Sequence, residues 1–214
     1  MEFLDEKLSR YAEMHTFPES GLLARINRET FSEVLMPRML SGHLQGRILS
    51  TFSRMIKPKR ILEIGTYTGY STICLAEGLL QDGKIITIDI NQELEVRVRK
   101  YFKESGFDDK IDFRIGNALE IIEELDEKFD IVFIDADKEN YTNYYHLVFE
   151  KVNHEGFIVA DNVLWSGKVL DENTADPETA AIIEFNDQIL KDKRVHPVLM
   201  PVRDGLMVIQ KLNK

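Results

Sequence analysis

Over residues 2–56 apolar side chains recur at helical spacing, and strand-like alternation is absent. Phe3, Leu4, Leu8 and Tyr11 form a first amphipathic stripe. Leu22, Leu23, Ile26, Thr30, Phe31 and Leu35 form a second, with Pro18 and Pro37 as breaks. A third helix is expected from near Ser41, carrying Leu44, Ile48, Leu49, Phe52 and Met55 before Pro58. Beyond that point the pattern changes. Short apolar runs at 61–64, 84–89, 111–115, 129–134 and 156–160 alternate with helical stretches at 69–75, at 91–106 and around Ile121, Ile122 and Leu125. Such alternation is what a parallel sheet with crossover helices requires.

The last third opens on a strong helix start, with Asp176 as cap and Pro177 in the first turn. Ile182, Ile183, Phe185, Ile189 and Leu190 supply its apolar face. Residues 163–175 are small and polar, a loop at the edge of a substrate site. Strand-like runs at 195–202 and 206–211, joined by Arg203-Asp204-Gly205, read as a hairpin. The expectation is one domain over 1–214: a helical extension at 1–56, and at 57–214 an α/β, doubly wound core.

Composition narrows the class of protein. Of 214 residues 43% are hydrophobic, enough for a real core, and 27 basic against 37 acidic residues give a formal net charge of −10. That balance argues against non-specific polyanion binding. A single cysteine, Cys74, excludes an intramolecular disulfide and falls in a helical pattern, as a core residue would. Neither a signal peptide nor a membrane-length apolar run is visible, so a soluble cytoplasmic protein is expected.

The most informative stretch is Lys59-Arg60-Ile61-Leu62-Glu63-Ile64-Gly65-Thr66-Tyr67-Thr68-Gly69-Tyr70-Ser71-Thr72, a strand entering a glycine turn and a helix. Glu63 interrupts a buried run. A carboxylate there costs free energy unless paired, so it calls for a partner, a cofactor with an amine or positive charge among them. Gly65 and Gly69 permit close backbone approach, and Thr68 is placed to cap the helix. Counting from Gly65, the later glycine positions of the dinucleotide fingerprint hold Tyr67 and Tyr70, which leaves little room for a pyrophosphate. Asp89 lies 24 positions after Gly65 at a strand end, where a carboxylate can accept both hydroxyls of a ribose or cap the next helix.

Two later strands carry a second constellation. Residues 129–134 deliver Asp135, Asp137 and Lys138 at their carboxyl end; residues 156–160 deliver Asp161 and Asn162. In an open parallel sheet ligands bind at that edge. These oxygens suit Mg²⁺, Ca²⁺ or Mn²⁺ rather than Zn²⁺, and the five histidines show no zinc-like spacing.

LEIGTYTGYST resembles motif I of the class I S-adenosylmethionine (SAM)-dependent methyltransferases. IDADKENY and DNVLWSGKV resemble the metal and catalytic motifs of the small metal-dependent O-methyltransferases, the catechol and caffeoyl-CoA O-methyltransferase-like family. The likeness runs from about Met39 to the C-terminus. It implies a Rossmann-like, mostly parallel seven-stranded sheet ending in an antiparallel hairpin. It also implies SAM held by Met39, Glu63, Gly65, Tyr67, Ser71, Asp89, Ala118, Asp135 and Asp137. Asp135, Asp161 and Asn162 would be ligands of a divalent metal and Lys138 the catalytic base. Ser41, Lys138, Trp165 and Arg203 would meet the substrate, with Arg203 open between that role and an exposed turn residue.

The implied reaction suits these residue types. A phenol with an unperturbed pKa of roughly 10 is a poor nucleophile at neutral pH unless its anion is favoured. A cation chelated by vicinal oxygens would favour it, and a neutral Lys138 would take the proton. The expected activity is SAM-dependent methylation of a catechol-type small molecule by a homodimer. The alternative acceptor is a hydroxylated uridine of tRNA, which some bacterial relatives modify. Tyr67 and Tyr70 disfavour a nicotinamide oxidoreductase, and the intact Lys138 and ligand positions disfavour a catalytically silent binding protein.

Overall fold

The computed structural model describes residues 5–171 and 173–213, which form two compact units, one reaching Asn117 and one starting at Ala118. Phe3 and Leu4 of the first stripe, and Glu172 of the 163–175 loop, lie outside the described residues.

The first unit opens with three helices, α1 (Glu6–Met14), α2 (Gly21–Glu33) and α3 (Gly42–Ile56). Asp5 caps α1 by accepting from the Lys7 amide at 2.9 Å, and Ser20 caps α2 by accepting from Leu23 at 3.2 Å. Then follow β1 (Arg60–Ile64), α4 (Tyr70–Ala76), β2 (Lys84–Asp89), α5 (Glu95–Ser105) and β3 (Ile111–Ile115). The strands are parallel in the order β3-β2-β1, with Glu63 beside Thr87. β1 and β2 are buried along most of their length, as strands covered on both sides are, whereas β3 at the edge carries Asp112 and Arg114 on one face.

Two local expectations change here. Gly69, with φ 78°, takes the cap position of α4, while Thr68 is fully buried and accepts a hydrogen bond from the Thr30 hydroxyl at 3.3 Å. A left-handed residue directly before the helix swings Thr68 inward, away from the amides it was to cap. The helix expected over 91–106 instead begins with a 3-10 turn at Gln92–Leu94, because the Asn91 side chain accepts from the Glu93 amide and closes a turn of its own.

The second unit contains α6 (Ala118–Glu124), β4 (Phe129–Ile134), α7 (Tyr141–Phe149), β5 (Val152–Asp161), α8 (Pro177–Lys191), β6 (Val195–Met200) and β7 (Leu206–Lys211). Strand order is β4-β5-β7-β6; β4 and β5 are parallel, and β7 runs antiparallel to both β5 and β6. Strand β5 begins four residues earlier than its apolar run, because pairing with β4 starts at Phe129 and Val152. The polar Asn153-His154-Glu155 segment is carried by a register shift, with Glu155 in a left-handed conformation at φ 63°.

Asp176 occupies the cap position of α8, but its carboxylate takes the Thr179 hydroxyl at 2.6 Å rather than a backbone amide. The apolar face of α8 rests on Ile182, Phe185 and Ile189; Leu190 points to solvent. With seven strands, mostly parallel and ending in an antiparallel hairpin, the protein has the α/β, Rossmann-like fold that was expected. Among the described residues no helix is long and apolar enough to cross a membrane.

Candidate functional site

In the first unit β1 ends in the glycine turn. Gly65 has φ 100° and Gly69 φ 78°; a Cβ on Gly69 would also stand 2.6 Å from the Phe102 ring, so both conformation and space demand glycine there. The buried Glu63 carboxylate accepts from the hydroxyls of Thr72 on α4 and Thr87 on β2, the latter at 2.6 Å. Thr87 in turn shares a 2.6 Å hydrogen bond with Thr66. The partner that a carboxylate in this strand calls for is therefore supplied, at least in part, by threonines.

Asp89 closes the turn from β2. One carboxylate oxygen accepts from the Tyr67 amide at 2.6 Å, the other from the Asn91 amide at 2.8 Å. Burial pushes its carboxyl above the ordinary aspartate value, against the pull of these backbone amides. The backbone amides of Thr66 and Ile90 are also directed at this carboxylate. Tyr67 itself has φ 48°, and its hydroxyl donates to the carbonyls of Leu35 and Met36. Ser71 is buried in the first turn of α4, Ser41 is buried before α3, and Met39 is exposed in the segment between α2 and α3.

In the second unit Ile134, the last residue of β4, pairs with Ala160, so Asp135 follows β4 at the level of Asp161, the last residue of β5. Asn162 follows with φ 58°, a left-handed conformation that asparagine accepts more readily than most residues, and its amide donates to Asp161 Oδ1 at 2.7 Å. Two carboxylates and a side-chain amide are a hard-oxygen donor set, which fits Mg²⁺, Ca²⁺ or Mn²⁺. Among the described residues no group of three or more His, Cys, Asp and Glu is arranged to hold a metal, so such an ion would also need ligands from outside the acidic side chains.

Lys138 is buried in the 3-10 turn Lys138–Asn140. Its Nζ donates to the Tyr141 hydroxyl at 2.7 Å and lies 3.3 Å from Asp135 Oδ1. The Tyr141 ring centroid is 4.7 Å from that nitrogen and the Trp165 centroid 5.7 Å. Burial first, then Asp135, Asp161 and Asp137, hold the Tyr141 phenol well above its ordinary pKa, so it stays protonated. Asp137 is exposed, with Tyr144 Oη donating to it at 2.6 Å and the Asn140 amide also donating. Ala118 begins α6.

Sequence reasoning passed over the clasp on the 163–175 segment. Its Trp165–Leu170 stretch is a 3-10 run in which Trp165, Ser166 and Gly167 have φ of 45°, 54° and 80°. Leu164 donates to the Asp204 carbonyl at 2.9 Å, Ser166 to its carboxylate, and a Cβ on Gly205 would meet Leu164 at 2.6 Å. A left-handed tryptophan is costly and persists only where its surroundings enforce it. The hairpin turn thereby fixes the approach of Trp165, while Arg203 itself is exposed at φ 49°. The Asp-Gly pair in the turn was the available signal. Tyr141 and Tyr144 were also missed, although their spacing from Lys138 and Asp137 on the following helix was visible.

Comparison with known proteins adds an independent line. The family described as O-methyltransferase matches residues 12–212. A caffeoyl-CoA O-methyltransferase of Medicago sativa is 34% identical over 213 residues, covering 94% of this chain and 86% of its own. A catechol O-methyltransferase domain-containing protein of Mus musculus is 35% identical over 78% of this chain and 66% of its own length. Among solved structures, the O-methyltransferase TomG from Streptomyces achromogenes, in complex with SAM, superposes with a TM-score of 0.89 at 25% identity, covering 97% of this chain and 96% of its own. An O-methyltransferase from Bacillus cereus, in complex with SAH, gives 0.89 at 28% identity, covering 96% and 97%.

Proposed function

We infer that this chain, which belongs to the O-methyltransferase family and is a SAM-dependent O-methyltransferase of the caffeoyl-CoA O-methyltransferase type, methylates one hydroxyl of a catechol-type small molecule with the help of a divalent metal. The observation that carries the finer reading is the register of β4 and β5, which sets Asp135 at the level of Asp161, with the buried side chain of Lys138 3.3 Å from Asp135.

In the first unit Asp89 would accept the ribose hydroxyls of SAM, with Gly65, Tyr67 and Ser71 forming the turn around it and Glu63 and Met39 contributing nearby. In the second, Ala118 would lie against the adenine, with Asp135 and Asp137 beside the cofactor. SAM supplies an electrophilic methyl on a sulfonium. Asp135, Asp161 and Asn162 would hold the metal, which when bound favours the anion of an adjacent phenol. Lys138 would accept the phenolic proton, the bond's electron pair remaining on the oxygen that takes the methyl. Trp165 would present an aromatic wall to a planar acceptor, with Ser41 and Arg203 as further substrate contacts. What this chain contributes is alignment and a prearranged field rather than covalent chemistry.

Methyl transfer from labelled SAM to a panel of catechols, with Mg²⁺ and with EDTA, tests this reading. Hydroxyuridine-containing tRNA is run in parallel. Metal-dependent labelling of catechols is the expected result; labelling confined to tRNA would replace it with the alternative acceptor, to which the comparisons lend no support.

A further inference from the structure

The segment that follows β4 carries an exposed carboxylate, Asp137, at the sheet edge where an open α/β fold receives its ligands. An exposed aspartate ordinarily keeps its rotamer freedom. This one is pinned on both oxygens. The buried Tyr144 of α7 donates its hydroxyl to Oδ1 at 2.6 Å, and the Asn140 side-chain amide donates to Oδ2. Asn140 is fixed in turn, because its side-chain oxygen accepts from the Asn143 side-chain amide at 2.9 Å. Asn143 and Tyr144 are consecutive residues of α7, so one turn of that helix governs the whole carboxylate.

We propose that Tyr144 is a positioning residue for Asp137, and that its hydroxyl, with the Asn140 amide, fixes the Asp137 carboxylate to meet the α-ammonium of bound SAM. The inference rests on the reading of Asp137 as a cofactor contact and deepens it, naming the group that is met and the side chain that aims the contact.

The chemistry of the carboxylate selects the ammonium. Tyr144 and Asn140 are neutral donors, so they orient Asp137 without offsetting its negative charge. They take one position on each oxygen, and a carboxylate offers about four acceptor positions in all, so each oxygen can still receive a ligand N–H. SAM carries two positive groups, the α-ammonium and the sulfonium, and only the ammonium has N–H bonds to give. A loose side chain must give up its rotamer freedom when a ligand binds, which weakens affinity; Tyr144 imposes that order in the folded chain beforehand.

The test is calorimetric binding, with Mg²⁺ present, of S-adenosylhomocysteine (SAH) and of its desamino analogue, which lacks only the amine. Asp137→Asn keeps the shape and removes the charge. It is expected to raise the Kd for SAH about 10-fold or more and that for the analogue less than about twofold. Tyr144→Phe keeps the ring and removes only the hydroxyl. Its expected effect is a rise of about 3- to 10-fold in the Kd for SAH, again with the analogue changed less than about twofold. A general defect in α7 would weaken both ligands alike. Tyr145→Phe, the next position on the helix, loses a hydroxyl bonded to Asp192 at 2.8 Å and is expected to bind both as the wild type does. An unchanged SAH affinity in Tyr144→Phe, an equal loss for the two ligands, or a selective loss in Tyr145→Phe overturns the role given to Tyr144. If Asp137→Asn itself fails to discriminate between the ligands, the reading of Asp137 as a cofactor contact falls instead, so the two failures are distinguishable.

Discussion

The hydroxyl of Tyr67 donates to the carbonyl of Leu35 at 3.0 Å, while the backbone amide of the same tyrosine donates to Asp89 at 2.6 Å. One residue thus ties the strand-end acid of the glycine turn to the segment between α2 and α3, where Leu35, Met36 and Met39 stand exposed and Met36 is left-handed at φ 57°. Tyr67→Phe keeps the ring and the amide but unfastens the segment. Loss of a hydrogen bond of about 1 kcal/mol raises the open population roughly fivefold. Trypsin cleavage after the exposed Arg38 should accelerate by that factor, since cleavage tracks the open population when reclosing is fast. An unchanged cleavage rate would show that the segment is held by its apolar contacts alone.

Asp161→Ala removes one of the two carboxylates that leave the sheet together. Activity and the response to metal should disappear in the same variant, so that neither Mg²⁺ nor EDTA alters its residual rate. Lys138→Ala should lower kcat by about 10²- to 10⁴-fold, the range for a lost general base, and leave SAM affinity in calorimetry near that of the wild type.

Arg47 and Glu77 form a nearly buried pair joining α3 to the end of α4, with N–O distances of 2.9 and 3.0 Å, and Ser50 adds a 2.6 Å bond to the same carboxylate. Burial raises the carboxyl pKa, but the bonds from Arg47 and Ser50 outweigh it and hold the group below its ordinary 4.5. Glu77→Gln leaves a buried guanidinium without its counter-charge and should cost about 3 kcal/mol or more in urea unfolding. A depressed folded pKa means stability that is present above 4.5 and is lost as pH falls through the folded value. Below that range the wild-type curve should therefore drop toward that of the variant.

Cys74 is fully buried, and burial pushes its thiol up to about 12, despite the Arg47 guanidinium 3.1 Å from the sulfur. The native thiol should resist alkylation at neutral pH and react at once in denaturant. The raised folded value also gives a sign: stability is retained below the ordinary value near 9.0 and is lost as pH rises toward about 12. Cys74→Ala should remove this alkaline loss, a difference that thermal melts at two pH values would show.

The strands were legible in the chain because their apolar runs are bounded by charge and glycine, and the acids at their ends because such residues interrupt an otherwise apolar pattern. Lys138, Asp135 and Asp161 could be named for that reason, and the structure brings them together in one unit. What escaped reading depends on contacts distant in sequence. Thr68 looked like a cap until Gly69 turned it toward Thr30, 38 residues away. The helical turn at Trp165 depends on Asp204 and Gly205 in a hairpin that no local pattern connects to it. Tyr141 was not singled out, because what sets it apart is a buried hydroxyl whose partners are two backbone carbonyls and the Lys138 side chain.

Glu63 bears on assembly of the sheet. Its carboxylate finds the hydroxyl of Thr87 only when β1 stands in its native alignment with β2, residue 63 beside residue 87, while Thr72 of α4 adds a second hydroxyl on the same face. A slip by one residue would turn Glu63 to the opposite face and leave the charge in apolar surroundings, at a cost of several kcal/mol. Ile61, Leu62 and Ile64 would tolerate such a slip far better, since both faces of the strand are apolar. A single acid among them therefore acts as a checksum on strand alignment: a pairing slipped by one residue carries a penalty that the apolar residues alone would not impose.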